Sequence, residues 1–338
     1  VITTGLGLIN YSAIIGISDV NSGITITNSD LYAADNLKIS AKGDNTVNLS
    51  YLDLSLLDMV ETLRGIPSAA FNWAEINSDV QVNVDNTSTL NVQGNVDVHA
   101  ESIRNLSSDT VAGGDTDKLG FVASVAIADT NAEANIAGNI NADGAITVSA
   151  LNSVAKDGDF YVADTSVAES MSGDTFLGKP AVNAVKLSLN KVVQSLSEHK
   201  GFDITGVPGK DGDWGLNAAT AVLVSENNAT ASVTGRVRDY SGNDGAGSLN
   251  VLAENISRTS MGATSYQNEL TNVRGDVINS KDVGIALAVN AGLQNNSATA
   301  YIGGDIKVDE TIDVKAITRI PWQTTFQDYS LSGILTTI

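Results

Sequence analysis

A five-residue phrase of alternating character recurs five times along the chain. Each copy places apolar residues at its first and third positions and alanine at its fifth. The copies are residues 37–41 (LKISA), 96–100 (VDVHA), 146–150 (ITVSA), 249–253 (LNVLA) and 312–316 (IDVKA). Alternation with a period of two is typical of a β-strand with one buried face. Its return with the same ending predicts a repeated β unit whose equivalent strands stack on one another.

A second motif precedes three of these copies. It has the form Ala-x-Ala-x-(Ile/Val)-x-Gly and occupies residues 132–138, 229–235 and 298–304. An apolar residue stands five positions before its first alanine each time, at Ile127, Val224 and Leu293. Residues 24–26 and 80–84 take its place in the two earlier copies. Asn, Asp and Gly punctuate the pattern, which predicts short strands of about four to seven residues.

The spacing of the phrase predicts the architecture. Successive closing alanines lie 59, 50, 103 and 63 residues apart, so we expect one copy to be degraded or displaced in the longest gap. A constant core with variable connections is typical of a solenoid. The predicted fold class is therefore all-β: a β-solenoid, with a right-handed parallel β-helix as the expected form, running as a single array over residues 1–338. Coils of roughly 20–25 residues, about 4.8 Å apart, would give a rod on the order of 60–70 Å long.

Composition excludes several classes of protein. The net charge is −20, so the chain lacks the basic stripe that nucleic-acid binding requires. It contains no cysteine, which excludes disulfides and thiolate metal sites. No window holds the roughly 18 uninterrupted apolar residues of a membrane helix, so we predict that the chain does not span a membrane. It begins with valine and shows no signal peptide, which suggests a processed or excised portion of something longer.

Two stretches between the repeats have helical rather than β periodicity. Residues 53–65 and 181–199 carry apolar residues every three or four positions, which predicts helical insertions. Most of the irregular sequence lies in a predicted insertion at 156–215. The favoured interpretation is that each helix packs its apolar stripe against the flank of the array. The alternative is a protruding element that engages a partner or the next subunit.

The search for reactive groups finds little. The two histidines are His99, at an outward position of the phrase, and His199, at the end of a predicted helix. There is no Gly-x-Ser-x-Gly elbow, P-loop or dinucleotide fingerprint. Paired acids such as Asp309 and Glu310 leave a polysaccharide-acting β-helix enzyme as the least favoured alternative, since two carboxylates flank the scissile bond in such enzymes. The sequence predicts a protein that is not an enzyme.

Two acidic, glycine-containing turns are weak candidates for calcium binding. They place Asp115 and Asp117 in one turn and Asp211 and Asp213 in the other, offering the oxygen ligands that Ca²⁺ prefers. Neither turn matches a 12-residue EF-hand loop, and neither is repeated as calcium-binding nonapeptides are. Ordinary acidic turns are the favoured interpretation, so no cofactor is predicted, with calcium as the alternative.

Residues 123–138 and 141–152 resemble the repeats of large bacterial filamentous-haemagglutinin-like and leukotoxin-family filamentous adhesins. The resemblance continues at 219–253, with an interruption, and at 286–316, so it covers about half of the chain. It implies secretion and an extracellular or cell-surface location, as part of an adhesin or biofilm exoprotein. It also implies partners among other copies of the chain, neighbouring repeats of a longer chain, or host-surface and matrix ligands. A self-assembling extracellular filament or sheath subunit is the alternative.

Overall fold

The computed structural model describes residues 2–6, 9–50, 69–114, 119–172, 214–267, 270–271, 277–279 and 283–320. Within these residues the fold is all-β and contains no helix. In chain order the strands are β1 (Ile2–Leu6), β2 (Ile9–Ile26), β3 (Asp30–Ala33), β4 (Leu37–Ser50), β5 (Ala69–Val84), β6 (Thr89–Val92), β7 (Val96–Gly114), β8 (Leu119–Ile136), β9 (Asn139–Ala142), β10 (Ala145–Val154), β11 (Lys156–Asp157), β12 (Phe160–Tyr161), β13 (Asp164–Ser172), β14 (Trp214–Val233), β15 (Val237–Arg238), β16 (Ser248–Ile256), β17 (Thr259–Gln267), β18 (Leu270–Thr271), β19 (Val277–Asn279), β20 (Val283–Ile302) and β21 (Ile312–Arg319).

Most of the strands belong to three sheets. Sheet I has the order β1-β2-β5-β8-β14-β20 and sheet III the order β15-β9-β6-β3. In sheet II, the long strand β7 pairs with β4 on one side and with both β10 and β13 on the other; β16, β17 and β21 complete the sheet. Every pairing in the three sheets is parallel except that of β1 with β2.

The chain visits the sheets in the same order each time. We call each round through sheets I, III and II a pass, and the five passes are residues 9–50, 69–114, 119–172, 214–267 and 283–319. In the fifth pass, single bridges at Ile306 and Val308 continue the line of sheet III. Each strand of one pass therefore lies beside its counterpart in the next.

The recurring phrase is the basis of this register. Its closing alanines pair in order along sheet II, from Ala41 through Ala100, Ala150 and Ala253 to Ala316. The apolar residues before them form continuous rows, which are buried in the second, third and fourth passes. The predicted stacking of equivalent strands is confirmed. The third copy pairs directly with the fourth, so the degraded copy expected in the longest gap does not occur between them.

The predicted strand length of about four to seven residues is confirmed for β3, β6 and β9 of sheet III, which have four residues each, but is wrong for sheet I. The strands of sheet I in the five passes contain 16 to 20 residues each, instead of about four to seven. Each pass consequently uses about twice the predicted number of residues. The reason is that many of the Asn and Asp residues taken as corners lie within strands. There they either face outward or meet one another in the interior.

The predicted helices at 53–65 and 181–199 lie outside the described residues. Only residues 156–172 and 214–215 of the predicted irregular insertion 156–215 are described, and part of that stretch is regular. β11 and β12 form an antiparallel hairpin, and β13 then pairs with β7 and β17. The alternating inward residues of β13 include Asp164, Ser166 and Ser170, which gave no apolar signal in the sequence.

Polar bridges divide the interior between sheets I and II. The bridging residues, which we call the polar seam, are Ser78, Ser102, Thr130, Asn152, Asn227 and Asn255. Ser78 and Ser102 are hydrogen bonded in the second pass at 2.9 Å. Asn152 Nδ2 donates to the carbonyl oxygen of Thr130 at 2.7 Å, and Asn255 Nδ2 donates to that of Asn227 at 2.6 Å. Apolar clusters lie on both sides of the seam. Hydrogen bonds therefore satisfy most polar groups of the seam inside an otherwise apolar core, whereas Asn255 Oδ1 is buried without a partner.

Candidate binding surface

The residues singled out in the sequence do not form a reactive centre in the described part of the chain. All four candidate calcium ligands, Asp115, Asp117, Asp211 and Asp213, lie outside the described residues, as does His199. Among the residues that are described, no three acidic or histidine side chains are grouped as metal ligands would be. His99 is half-buried on the outer side of sheet II, where its Nδ1 lies 2.8 Å from Ser149 Oγ.

The most unusual polar group is a buried ion pair. Arg104 donates from Nε to Asp164 Oδ2 at 2.9 Å, and both side chains are enclosed. Burial raises the pKa of Asp164, although Arg104 opposes this effect through its charge and its hydrogen bond. Arg104 also donates to Asn152 Oδ1 at 3.0 Å and to Ser257 Oγ at 3.1 Å. These hydrogen bonds link successive passes. Solvent does not reach the two charged side chains, so a substrate cannot reach them either.

The outer side of sheet I provides a broader candidate. Apolar side chains occupy the first half of its strands and align in rows across the passes. We call this surface the outer apolar face. Its rows are Ile17, Glu75, Ile127, Val224 and Leu293; Ile15, Trp73, Val125, Val222 and Ala291; Ala13, Phe71, Ala123, Thr220 and Val289; and Phe121, Ala218 and Leu287.

The outer apolar face extends over all five passes. Five strands about 4.8 Å apart, each contributing three or four outward residues at about 6.8 Å intervals, cover on the order of 400 Å². Contiguous apolar patches of this size on a soluble protein commonly mark interaction sites. Phe71 and Trp73 lie near its centre, with ring centroids 6.4 Å apart.

Burial differs sharply between the rim and the centre of the outer apolar face. At the rim, Ile15, Ile17 and Leu293 are 64%, 59% and 65% exposed. At the centre, Phe121, Ala123 and Val125 are only 4%, 1% and 4% exposed although they point away from the interior. The strands packed against β8 lie beside it in the sheet or across the interior. The centre of the outer apolar face is therefore closed to solvent, whereas its rim is open.

An acidic row borders the outer apolar face. It contains Asp19, Asn77, Asp129, Glu226 and Asn295, which pair in order across the five passes. Burial raises the pKa of Asp129, and the nearby carboxylates of Glu226 and Asp79 raise it further. A ligand of the exposed rim at Ile17 and Leu293 therefore meets apolar contacts with negative charge along one side, which favours an amphipathic partner with basic residues at its edge.

Sequence reasoning did not identify this surface as a site. The sequence feature that belongs to this surface is the apolar residue five positions before the alanine motif, at Ile127, Val224 and Leu293. These residues have the opposite strand parity from the buried alanines, and hence point outward. The buried Arg104 and Asp164 were also missed, because an isolated charged residue in a sequence gives no signal of burial.

Within the described residues no helix is long and apolar enough to cross a membrane. Comparison with known proteins identifies no relative: no family model, no curated protein and no solved structure matches the chain.

Proposed function

We propose that the five passes are successive coils of a β-solenoid, in the right-handed parallel β-helix form. The in-register pairing of all five copies of the phrase supports this proposal. Five coils about 4.8 Å apart give a stack roughly 24 Å tall, while strands of 18–20 residues reach about 60 Å across it. These dimensions replace the rod of 60–70 Å expected from shorter coils.

The function that we propose is structural and adhesive, as a rigid segment of an extracellular surface adhesin or biofilm exoprotein. The register of the five passes is the observation that carries this proposal, because it makes every outward position independent of the core. Such a scaffold can vary its surface without losing its fold. The net charge of −20 favours solubility of the protein and repulsion between its copies. The resemblance to filamentous-haemagglutinin-like repeats favours the same function.

Localisation in the organism that encodes the chain tests this function. Antibodies against the purified chain should label intact cells, and a protease added outside should remove the label. Deletion of the coding region should reduce attachment to host-cell or matrix surfaces, and restoration of the gene should recover it. Antigen confined to the cytosol, or attachment unchanged by the deletion, would contradict the proposal.

A self-assembling filament or sheath subunit is the second candidate, and the end of the fifth pass favours it. Ile312 and Val314 point inward but are 52% and 43% exposed, whereas their counterparts in the preceding pass, Leu249 and Val251, are buried. Within the described residues, the strands of the fifth pass thus have no partner on their outer edge and expose apolar inward side chains, which another coil can cover. A head-to-tail contact of this kind is heterologous and does not close, so it produces fibres.

Electron microscopy distinguishes the two candidates. Isolated particles at all concentrations favour the adhesin segment, and long regular fibres favour the filament. If fibres form through the open end, Ile312→Lys with Val314→Lys should abolish them, because charge would enter the apolar contact. The matched control is Thr299→Lys with Thr311→Lys, which adds the same charge at exposed outward positions and should leave fibres intact.

A further inference from the structure

The first and fifth passes leave the same apolar rows incompletely covered. The rows that show this run through the interior from Ile26 to Ile302, from Leu31 to Ile306 and from Leu37 to Ile312. Their members in the three middle passes are buried, whereas both ends of each row are half-buried or exposed. Within the described residues, no strand pairs with the outer edges of β3 and β4 or of β20 and β21. Both end passes are therefore open to a further layer of strands.

We propose that the first pass of a second copy of the chain docks on the fifth pass, with its strands parallel and in the register of the array. This contact rests on the filament candidate described above and deepens it by naming the partner surface. Each apolar row continues from one copy into the next, so that Leu37 covers Ile312, which is 52% exposed. The middle passes already have this arrangement, and there the same rows are buried.

Charges on the outer side of sheet II favour this occupant. The register places Lys38 of the docking copy beside Asp313, and Asp44 of the docking copy beside Arg319. The first juxtaposition repeats a contact within the chain, where Lys38 Nζ lies 3.6 Å from Asp97 Oδ2. In both rows a charge of the first pass thus meets the opposite charge on the fifth, which is the electrostatic complementarity expected of an interface.

The same charges select one register. A shift of one residue would turn every side chain of a docking strand to the other face. A shift of two residues would place Lys38 beside Lys315 or Thr311, which replaces the ion pair with Asp313 by repulsion or removes it. The register that continues the apolar rows is therefore also the one that pairs the charges.

Sheet I adds an apolar contact to the same interface. Ile17 of the docking copy lies beside Leu293, because these two residues are the two ends of one row. The two side chains are 59% and 65% exposed. Their contact stabilises the association, since it removes both apolar side chains from water.

Strand β1 competes with the docking copy for one part of this edge. It pairs with Ile9–Ala13 of β2 on the side away from β5, which is where residues 285–289 of β20 would lie. Docking therefore requires β1 to leave β2. Parallel pairing with β20 then replaces the antiparallel pairing that is lost.

The rest of the edge is large enough for a stable contact. Residues 290–302 and 312–319 extend about 70 Å at about 3.3 Å per residue, and a depth of about 10 Å gives about 700 Å² on each copy. The total of about 1,400 Å² lies within the range of specific protein interfaces.

Reversal of the charges tests the proposal in the full chain. One chain carries Asp313→Lys with Arg319→Glu, and another carries Lys38→Glu with Asp44→Lys. Each alone should associate at least about tenfold more weakly than the parent, because like charges then meet at every contact. An equimolar mixture should recover the association of the parent, since one reversed end meets the other. Sedimentation velocity measures this in about 0.15 M salt, which screens repulsion between distant charges.

Recovery in the mixture also shows that both reversed chains are folded. If the parent associates and either reversed chain associates equally well, the proposed contact is overturned and the filament candidate stands. Weakened association without recovery in the mixture overturns the contact as well. A parent chain that stays monomeric at every concentration overturns both the contact and the filament candidate.

Crosslinking locates the contact, since the protein contains no cysteine. A chain with Ile17→Cys, mixed with a chain with Leu293→Cys, should form crosslinked dimers with a short thiol-reactive reagent. The matched control is Tyr32→Cys mixed with Leu293→Cys, because Tyr32 is 72% exposed but lies on β3 of sheet III, and it should give no dimers. Equal yields from the two mixtures, or no dimers from the first, would overturn the proposal.

Discussion

Arg104 and Asp164 form an ion pair in the interior, with Nε 2.9 Å from Oδ2 and side-chain exposures of 0% and 1%. The arginine belongs to the second pass and the aspartate to the third. Further hydrogen bonds from the guanidinium reach Asn152 in the third pass and Ser257 in the fourth. One side chain therefore joins three passes through charge-assisted hydrogen bonds, which are stronger than neutral ones.

Replacing only one partner of this pair should be strongly destabilising. Arg104→Ala leaves the Asp164 carboxylate buried and unpaired, and we expect a loss of about 3–5 kcal/mol in the free energy of unfolding. The double change Arg104→Met with Asp164→Leu should recover most of that loss, because no buried charge remains. Urea denaturation of the three chains measures both effects.

The surface pair Lys38–Asp97 is the control for that experiment. Lys38 Nζ lies 3.6 Å from Asp97 Oδ2, and both side chains are exposed to solvent. Lys38→Ala should therefore change stability by less than about 1 kcal/mol. A loss for Arg104→Ala as small as that for Lys38→Ala would show that the buried pair contributes no more than a surface pair.

The register of the phrase predicts opposite outcomes at adjacent positions. Val148 is buried between Val98 and Val251, whereas Thr147 points outward on the same strand. Val148→Asp should lower the free energy of unfolding by more than about 3 kcal/mol, because it buries an unpaired charge. Thr147→Asp should have a small effect. Equal melting temperatures for the two variants would contradict the assigned inward and outward positions.

The residues that pack by apolar alternation were predictable, and those that pack by hydrogen bonding were not. Val98, Val148 and Val251 stack because alternation alone selects one face of each strand. Asn152 and Asn227 occupy equally inward positions, but an isolated asparagine in a sequence is more often a corner or surface residue. Burial of such an asparagine becomes favourable only when neighbouring passes supply its hydrogen-bond partners, as Arg104 and Asn228 do for Asn152.

The same difference explains what was missed at the outer apolar face. Ile127 and Val224 were visible as a recurring apolar position, but recurrence does not reveal which side of a strand a residue occupies. The parity of β8 and β14, fixed by the buried alanines Ala132 and Ala229, turns both outward. A surface feature can therefore be inferred only after the register is known.

Glycine at the corner after sheet I is required by close stacking of the passes. A Cβ on Gly235 would lie 1.8 Å from the carbonyl oxygen of Gly138 in the preceding pass. Gly235→Ala must therefore push two backbones apart, and we expect a loss of about 1–3 kcal/mol in the free energy of unfolding. Thermal denaturation of the variant measures it.

Gly262 provides a matched control on β17. A Cβ there would meet Val167 Cγ1 at 3.9 Å, an ordinary contact. Gly262→Ala should therefore be neutral or slightly stabilising, because alanine restricts the unfolded chain. If both alanine variants melted at the same temperature, close stacking at Gly235 would not be the reason for its glycine.

Acid should weaken the corner between the first two passes. Asp85 accepts hydrogen bonds from Ser88 Oγ at 2.7 Å and from Thr87 Oγ1 at 2.8 Å. The bond from Ser88 is the main cause that holds the pKa of Asp85 below its ordinary value of 3.8, and the bonds from Thr87 and Asn28 add to it. The pKa of Asp85 is thus lower in the folded state than in the unfolded state. The ionised carboxylate therefore contributes its full stabilisation at pH values above the unfolded-state pKa, and this contribution is lost as the pH falls through the folded-state pKa.

Two variants separate this carboxylate from the other acids that titrate in the same range. Asp85→Asn removes the ionisable group, so the free energy of unfolding should fall less steeply below about pH 4 than in the parent chain. Ser88→Ala keeps the carboxyl but removes its strongest hydrogen bond, which should bring the folded pKa closer to the unfolded one and likewise flatten the acid limb. Urea denaturation at a series of pH values measures the slopes. If both variants kept the parent's slope, the Ser88–Asp85 hydrogen bond would not be the source of the acid sensitivity at this corner.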